Sequence, residues 1–376
     1  MIKVHHKYFL GVLISFLFVK GFSQSEMQGV EFTPQKNNTL FSVGVKATFH
    51  HGAILPHRKE VSEVIEGHTQ AYEISFNKNT AGKKTWQQLY GCPKVGISAL
   101  YMSLGNPNEL GSSFGLFPFV ELPVNQRKIQ WMFKLGYGLG YIQKPYDRET
   151  NRKNIAIGSK VNAIIYANTN WEVKLSDKIN SSLGLSLIHF SNGSFARPNL
   201  GLNIFSINTG LTYNFGKEES YTNNKVEKRE RTWSKNIIVG FGLKEVPPVG
   251  GGKYFVSSYS FNLIKIRAEK SSFGFGADVF YNTSLSGLIE RNSPGKSNGL
   301  DNFRLGLMGL YTFDFGKISV LVGLGGYAVA NYKKDGLIYN RLGTRFRVSD
   351  HLFLRLGMKT HVAVADFVDY GIGYRF

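Results

Sequence analysis

Apolar and polar side chains alternate with a period of two along nearly the whole chain. In residues 129–141, IQWMFKLGYGLGY, one face carries Ile129, Trp131, Phe133, Leu135, Tyr137, Leu139 and Tyr141. The other carries Gln130, Met132, Lys134, Gly136, Gly138 and Gly140. Successive side chains of a strand point to opposite faces, so this spacing predicts a strand and not a helix. A soluble sandwich would bury the greasy face and leave ordinary polar residues on the other. Here the apolar face is rich in aromatics and the opposite face is small and polar, which is the outward and inward pattern of a membrane barrel. The pattern recurs at 352–359, with Leu352, Leu354, Leu356 and Met358 set against Arg355, Gly357 and Lys359. It recurs again at 368–376, which ends on Phe376 at the tip of an aromatic strand.

Alternating segments fall near 41–54, 68–78, 94–104, 112–122, 128–142, 160–175, 179–190, 203–215, 234–245, 254–268, 272–284, 302–315, 317–331, 338–348, 352–362 and 366–376. The expected fold is therefore all-β, a transmembrane antiparallel up-and-down β-barrel of about 14–16 strands, an even count being the rule for single-chain bacterial barrels. With the N-terminus on the periplasmic side, the basic loop 143–158 faces outward. The stretch 216–233 is then an unusually long periplasmic turn, or a boundary between two eight-stranded barrels. One large barrel is the preferred expectation, because no internal sequence repeat links the halves.

The first 23 residues fall outside this fold. Lys3 and Lys7 precede an apolar run over 9–19, followed by Gly21-Phe22-Ser23. That order reads as a secretory signal peptide cut near Ser23, leaving 24–376 as the barrel. The 376-residue chain carries 45 basic and 26 acidic residues, and loss of Lys3, Lys7 and Lys20 lowers its formal charge from +19 to +16. Such a balance suits an anionic partner. Secretion, 42 glycines and the wealth of Tyr and Phe favour a membrane surface over nucleic acid. Cys92 is the one cysteine, so no internal disulfide is possible.

The candidate chemistry lies in 185–203, LSLIHFSNGSFARPNLGLN. Leu183, Leu185, Leu187, His189 and Ser191 share one face of a strand, and the leucines mark that face as the one toward lipid. On the next strand Asn203, Phe205, Ile207 and Thr209 form the outward face, so Asn203 begins that strand beside His189 and Ser191. A hydroxyl, an imidazole and an amide then meet on the outer wall, at the rim. A nucleophile, a base and a group that orients the base need this arrangement. Asn192 or Asn199, with a backbone N–H near Gly193, is a candidate oxyanion donor, although each is equally a turn residue satisfying its own backbone. His50, His51, His57 and His68 match no strong metal template and read as a solvated loop cluster. The segment 247–255, PPVGGGKYF, reads as a hairpin loop.

The run His189-x-Ser191-Asn192 followed by Pro198-Asn199-Leu200-Gly201 resembles the active-site segment of the lipid A 3-O-deacylases, the acyloxyacyl-hydrolase-like outer-membrane barrels. The resemblance implies Ser191 as nucleophile and His189 as base. It implies an orienting Glu two residues after the turn glycine, where this chain has Asn203. The likeness covers roughly 41–215, with additional strands over 234–376. A weaker likeness is to outer-membrane phospholipase A, which has a His-x-Ser-Asn-Gly run and an Asn as third member. Ser194 stands where that family has Arg, so its calcium-binding arrangement does not carry over. The expected protein is an outer-membrane ester hydrolase of a Gram-negative bacterium that removes an acyl chain from lipid A of lipopolysaccharide, with no cofactor required by the chemistry. A phospholipase A and a non-enzymatic porin or adhesin remain as alternatives.

Overall fold

The computed structural model describes residues 39–125, 127–222, 229–362 and 364–376. The expected signal peptide lies outside them. Sixteen strands occur among the described residues: β1 (Thr39–Ile54), β2 (Thr69–Asn79), β3 (Lys94–Ser103), β4 (Ser112–Pro123), β5 (Ile129–Ile142), β6 (Val161–Lys174), β7 (Ile179–Ser191), β8 (Leu202–Ser220), β9 (Trp233–Glu245), β10 (Lys253–Ala268), β11 (Ser271–Asn282), β12 (Phe303–Phe315), β13 (Ile318–Ala330), β14 (Ile338–Arg347), β15 (Leu352–His361) and β16 (Val364–Arg375). The predicted segments coincide with these to within a few residues, except that β8 runs on to Ser220. No helix among the described residues is long and apolar enough to cross a membrane.

The strands close as two barrels, β1 to β8 and β9 to β16, and not as the single large barrel expected. In the first, β8 returns to pair antiparallel with β1 from Thr39↔Ser220 to Ile54↔Ile204. In the second, β16 returns to β9, with a ladder from Tyr370↔Phe241 to Arg375↔Asn236. The stretch 216–233 is thus the connection between barrels, apart from the residues of β8 it contains. Closure follows from hydrogen bonding: a strand edge in hydrocarbon leaves N–H and C=O groups without water, and a closed ladder leaves none.

Alternation sets what each wall presents. In β2 the residues from Thr69 to Asn79 alternate strictly between buried and exposed. Tyr72, Ile74 and Phe76 point outward, while Glu73, Ser75 and Asn77 point into the lumen. That lumen is more strongly charged than the small and polar inward face expected. Glu73, 1% exposed, accepts from Tyr166 at 2.9 Å and Ser75 at 2.9 Å, lies 3.1 Å from His50 Nε2, and is paired with Lys134. His50 is therefore a buried lumen residue, 3.2 Å from Ser186 Oγ, and not part of a solvated loop. It follows Gly44, Lys46 and Thr48 on the inward face of β1. Lys134 also sits 3.9 Å from the centre of the Phe119 ring. A second layer pairs Lys94 with Glu172 at 2.8 Å and Glu121 at 3.7 Å.

At the end of the first barrel where β7 meets β8, the lumen turns apolar. Ile54, Val61, Leu104, Leu110, Ile157, Ile188, Phe190, Leu202 and Ile204 pack there as part of one buried cluster. This cluster backs the wall that carries the candidate site. The second barrel has its own filling, in which Asp369 holds both Arg341 and Arg355 at 3.0 Å. Its apolar cluster includes Phe280, Met308, Tyr339 and Phe367. Residues 246–252 join β9 to β10 as a hairpin loop, while 253–255 of the loop expected there already belong to β10. Cys92, in the connection between β2 and β3, has its thiol pushed up to about 11 by burial.

Replacing Glu73 with Ala leaves Lys134 buried and unpaired, and such a change costs about 3–5 kcal/mol. The joint replacement Glu73→Leu with Lys134→Met removes both charges and is expected to cost less, although Tyr166, Ser75 and His50 still lose a partner. Urea unfolding in detergent micelles, followed by tryptophan fluorescence, checks both expectations. Equal destabilisation by the single and double variants would show that the pair is not what holds the lumen.

Candidate active site

Register brings the site together. His189 on β7 and Asn203 on β8 are direct cross-strand partners. His189 Nδ1 lies 2.7 Å from Asn203 Oδ1. An amide oxygen only accepts, so the imidazole donates from Nδ1 and presents Nε2 as the basic nitrogen. Ser191 follows two residues later on the same outward face, about 7 Å along the strand at the usual rise. The residues that flank His189, Ile188 and Phe190, point inward and are fully buried. The face that carries His189 and Ser191 is thus held from behind by close-packed hydrocarbon.

The turn from 192 to 201 completes the arrangement. Asn199 Nδ2 donates to Ser191 Oγ at 3.0 Å. Asn199 Oδ1 accepts the backbone N–H of Asn192 at 3.2 Å. Asn192 has a different position: its Nδ2 donates to Ser159 Oγ and to the Ala196 carbonyl, both at 2.9 Å. Its two amide hydrogens are committed to the 143–160 loop and to the turn itself, so Asn192 holds the turn in place while Asn199 touches the hydroxyl. Gly193 follows at φ 64°, a left-handed conformation suited to glycine. Gly201, at φ 81°, comes closer still, because a Cβ there would lie 2.8 Å from His189 Cε1. Its backbone N–H donates to the Ala156 carbonyl at 3.0 Å. Asn199 pairs with Ile157 in an isolated bridge, which ties the turn to the 143–160 loop.

That loop is ordered by Asp147, whose Oδ1 accepts from the Thr150 and Glu149 backbone N–H groups at 2.8 and 2.9 Å. These bonds hold the exposed Asp147 carboxyl below its ordinary range. Lys144, Arg148, Arg152 and Lys153 are all exposed on the loop.

Sequence reasoning missed His57. It lies in the connection between β1 and β2, with Nδ1 3.1 Å from Asn203 Nδ2 and Nε2 3.1 Å from the Leu200 carbonyl. No periodic pattern runs through that connection, so nothing in the sequence aimed this histidine at the site. Of the four histidines grouped in the sequence, His51 and His68 meet at a tilt of 35° with ring centres 5.2 Å apart. Among the described residues no group of three or more His, Cys, Asp or Glu is placed to hold a metal ion.

Beside the site the outer wall is hollowed. A groove of about 620 Å³ runs over β2 to β6, lined by Tyr72, Ile74, Ala99, Tyr101, Phe114, Leu116, Leu139 and others. The cross-strand partners from Ser191 run Ala163, Leu139, Leu116, Ala99 and Ile74. The groove therefore lies in the same row as Ser191, across the small side chain of Ala163.

The first barrel matches the family model of lipid A 3-O-deacylase (PagL) over residues 70–212. The second matches the C-terminal domain of acyloxyacyl hydrolase over 233–376. Among solved structures, the outer membrane enzyme PagL is 18% identical, covers 44% of this chain and 97% of its own, and gives a TM-score of 0.33. A BenF-like porin from Pseudomonas fluorescens Pf-5 is 8% identical and covers 90% and 98%, with a TM-score of 0.22. OccAB4 of Acinetobacter baumannii is 12% identical and covers 91% and 98%, with a TM-score of 0.21. No curated protein matches the chain. Family models thus account for both barrels, and each barrel is similar to the lipid A 3-O-deacylase family of outer-membrane ester hydrolases.

Proposed function

We propose that the first barrel removes an ester-linked acyl chain from lipid A, most simply the one at the glucosamine 3-position, by a Ser-His-Asn mechanism. Ser191 attacks the acyl carbonyl. His189 takes the hydroxyl proton at Nε2 and returns it to the leaving sugar oxygen. Asn203 fixes the imidazole in the tautomer that leaves Nε2 free. It supports the imidazolium less than a carboxylate does. Asn199, already at the hydroxyl, is placed to donate to the oxyanion, and Gly193 follows in the same turn. Water then hydrolyses the acyl-enzyme, with His189 acting again as base and acid. The single observation that carries the reading is the 2.7 Å bond between in-register His189 and Asn203, with Ser191 next on the same outward face.

The groove supports a long acyl chain as the group transferred. A chain laid from Ser191 past Ala163 would meet hydrocarbon along its length, where each buried methylene is worth about 0.8 kcal/mol. The exposed cations of the 143–158 loop suit the phosphates of lipid A. Asn as third member is the one feature that favours a phospholipase A instead.

Ser191→Ala and His189→Ala are each expected to lower turnover on the order of 10⁴-fold, with little further loss in the double variant. Asn203→Ala is expected to cost less. Asn203→Glu is expected to hold or raise activity. Mass spectrometry of lipid A from cells with and without each variant measures these effects. Phospholipid hydrolysis abolished by chelator, with lipid A untouched, would identify the phospholipase instead. Ala99→Trp fills the groove and is expected to reduce kcat/KM about tenfold or more for long-chain esters while sparing short ones; loss on both alike would place the chain elsewhere. Gly201→Ala is expected to lower kcat at least tenfold, because the new Cβ displaces the His189 ring, and to cost about 1–2 kcal/mol from the positive φ. Wild-type kcat in that variant would show that the ring has room to spare.

A further inference from the structure

An amide in the third position differs from a carboxylate in having two unlike ends. Oδ1 accepts the proton of His189 Nδ1, but Nδ2 in that place would set N–H against N–H. Turning the amide over changes its shape hardly at all, so the contact with His189 does not by itself make the orientation secure. A neighbour that reads the other end is needed. His57 is that neighbour: its Nδ1 lies 3.1 Å from Asn203 Nδ2.

The tautomer of His57 can be worked out from its surroundings. With the proton on Nε2, the ring donates to the Leu200 carbonyl at 3.1 Å while Nδ1 accepts from Asn203. With the proton on Nδ1, the ring donates only to the Leu55 carbonyl at 3.2 Å. It then loses the Asn203 bond and turns a lone pair on Leu200 O. The first form satisfies two partners and the second one, so the first prevails. A directed chain results: His189 Nδ1–H to Asn203 Oδ1, Asn203 Nδ2–H to His57 Nδ1, and His57 Nε2–H to the Leu200 carbonyl.

We propose that His57 is a positioning residue that locks the Asn203 amide with its oxygen toward His189, and so does for this chain what the symmetry of a carboxylate does without help. This rests on the reading of Ser191, His189 and Asn203 as the hydrolytic group. His57 touches no reacting atom and is solvent-exposed, so its loss is graded and not total.

The test is a cycle in the full-length protein in detergent micelles, with a long-chain ester as substrate. In the wild-type background, His57→Ala is expected to lower kcat roughly five- to tenfold with KM within about twofold, the scale of one lost hydrogen bond. His57→Gln, whose side-chain oxygen can accept from Asn203, is expected to recover most of that loss. In the Asn203→Glu background, whose two oxygens are equivalent, His57→Ala is expected to change kcat by less than about twofold. Equal losses in the two backgrounds would show that His57 merely braces the Leu200 turn, and would overturn the proposal. A second readout does not depend on activity: nitrogen-15 NMR of labelled histidines. His189 is expected to carry its proton on Nδ1 in the wild type and to become a mixture in His57→Ala; an unchanged His189 tautomer would refute the link. If Ser191→Ala kept its activity, the hydrolytic reading would fail, while the tautomer measurement would still decide the role of His57.

Discussion

The closed antiparallel ladder is the constraint on which everything else in this molecule depends. In hydrocarbon a backbone group without a partner costs several kcal/mol, so each strand must find neighbours on both sides. Once β1 to β8 close with a fixed register, every side chain is committed either to the lumen or to the wall. A slip of one residue between β7 and β8 would turn Asn203 inward and leave His189 without its acceptor. The geometry proposed for catalysis is therefore a by-product of backbone pairing, stiffened by the apolar cluster behind it.

Much of this was legible in the sequence because membrane strands are read locally. Alternation over ten residues gives the strand, and the aromatic side gives its outward face. The faces assigned to β5, β7 and β8 all hold, and so does the meeting of His189 with Asn203. Closure was not legible, since it depends on which distant strand pairs with β1, and nothing in the local pattern of β8 says that it returns. The local signal for it is the break in alternation at 216–233. His50 shows a different failure: carrying the β1 frame forward from Lys46 and Thr48 would have placed it inward, but its three neighbouring histidines suggested a loop. His57 sits where no periodic signal exists, and only folding brings it to Asn203.

The lumen shows how one barrel reconciles charge with burial. Glu73 gathers His50, Lys134, Tyr166 and Ser75, so its oxygens are satisfied from several strands at once. Such a group is costly to assemble and costly to disturb, because any one member removed leaves the others buried without compensation. It fixes strands β1, β2, β5 and β6 against one another from inside. The outer wall is then free to be shaped by function, with small residues such as Ala99 and Ala163 where a cylinder built only for stability would carry bulk.

Ser191 stands on that wall and not over the lumen, and this changes what concentration means for the protein. A molecule reaching the hydroxyl sideways travels in the plane of the leaflet, so encounter depends on how many such molecules occupy a given area. Diluting the surrounding buffer leaves that number untouched. Packing the leaflet with inert lipid lowers it, and stiffening the leaflet slows each arrival. With Ser191 as the proposed nucleophile, the barrel's rate is thereby coupled to the composition and fluidity of the membrane that holds it.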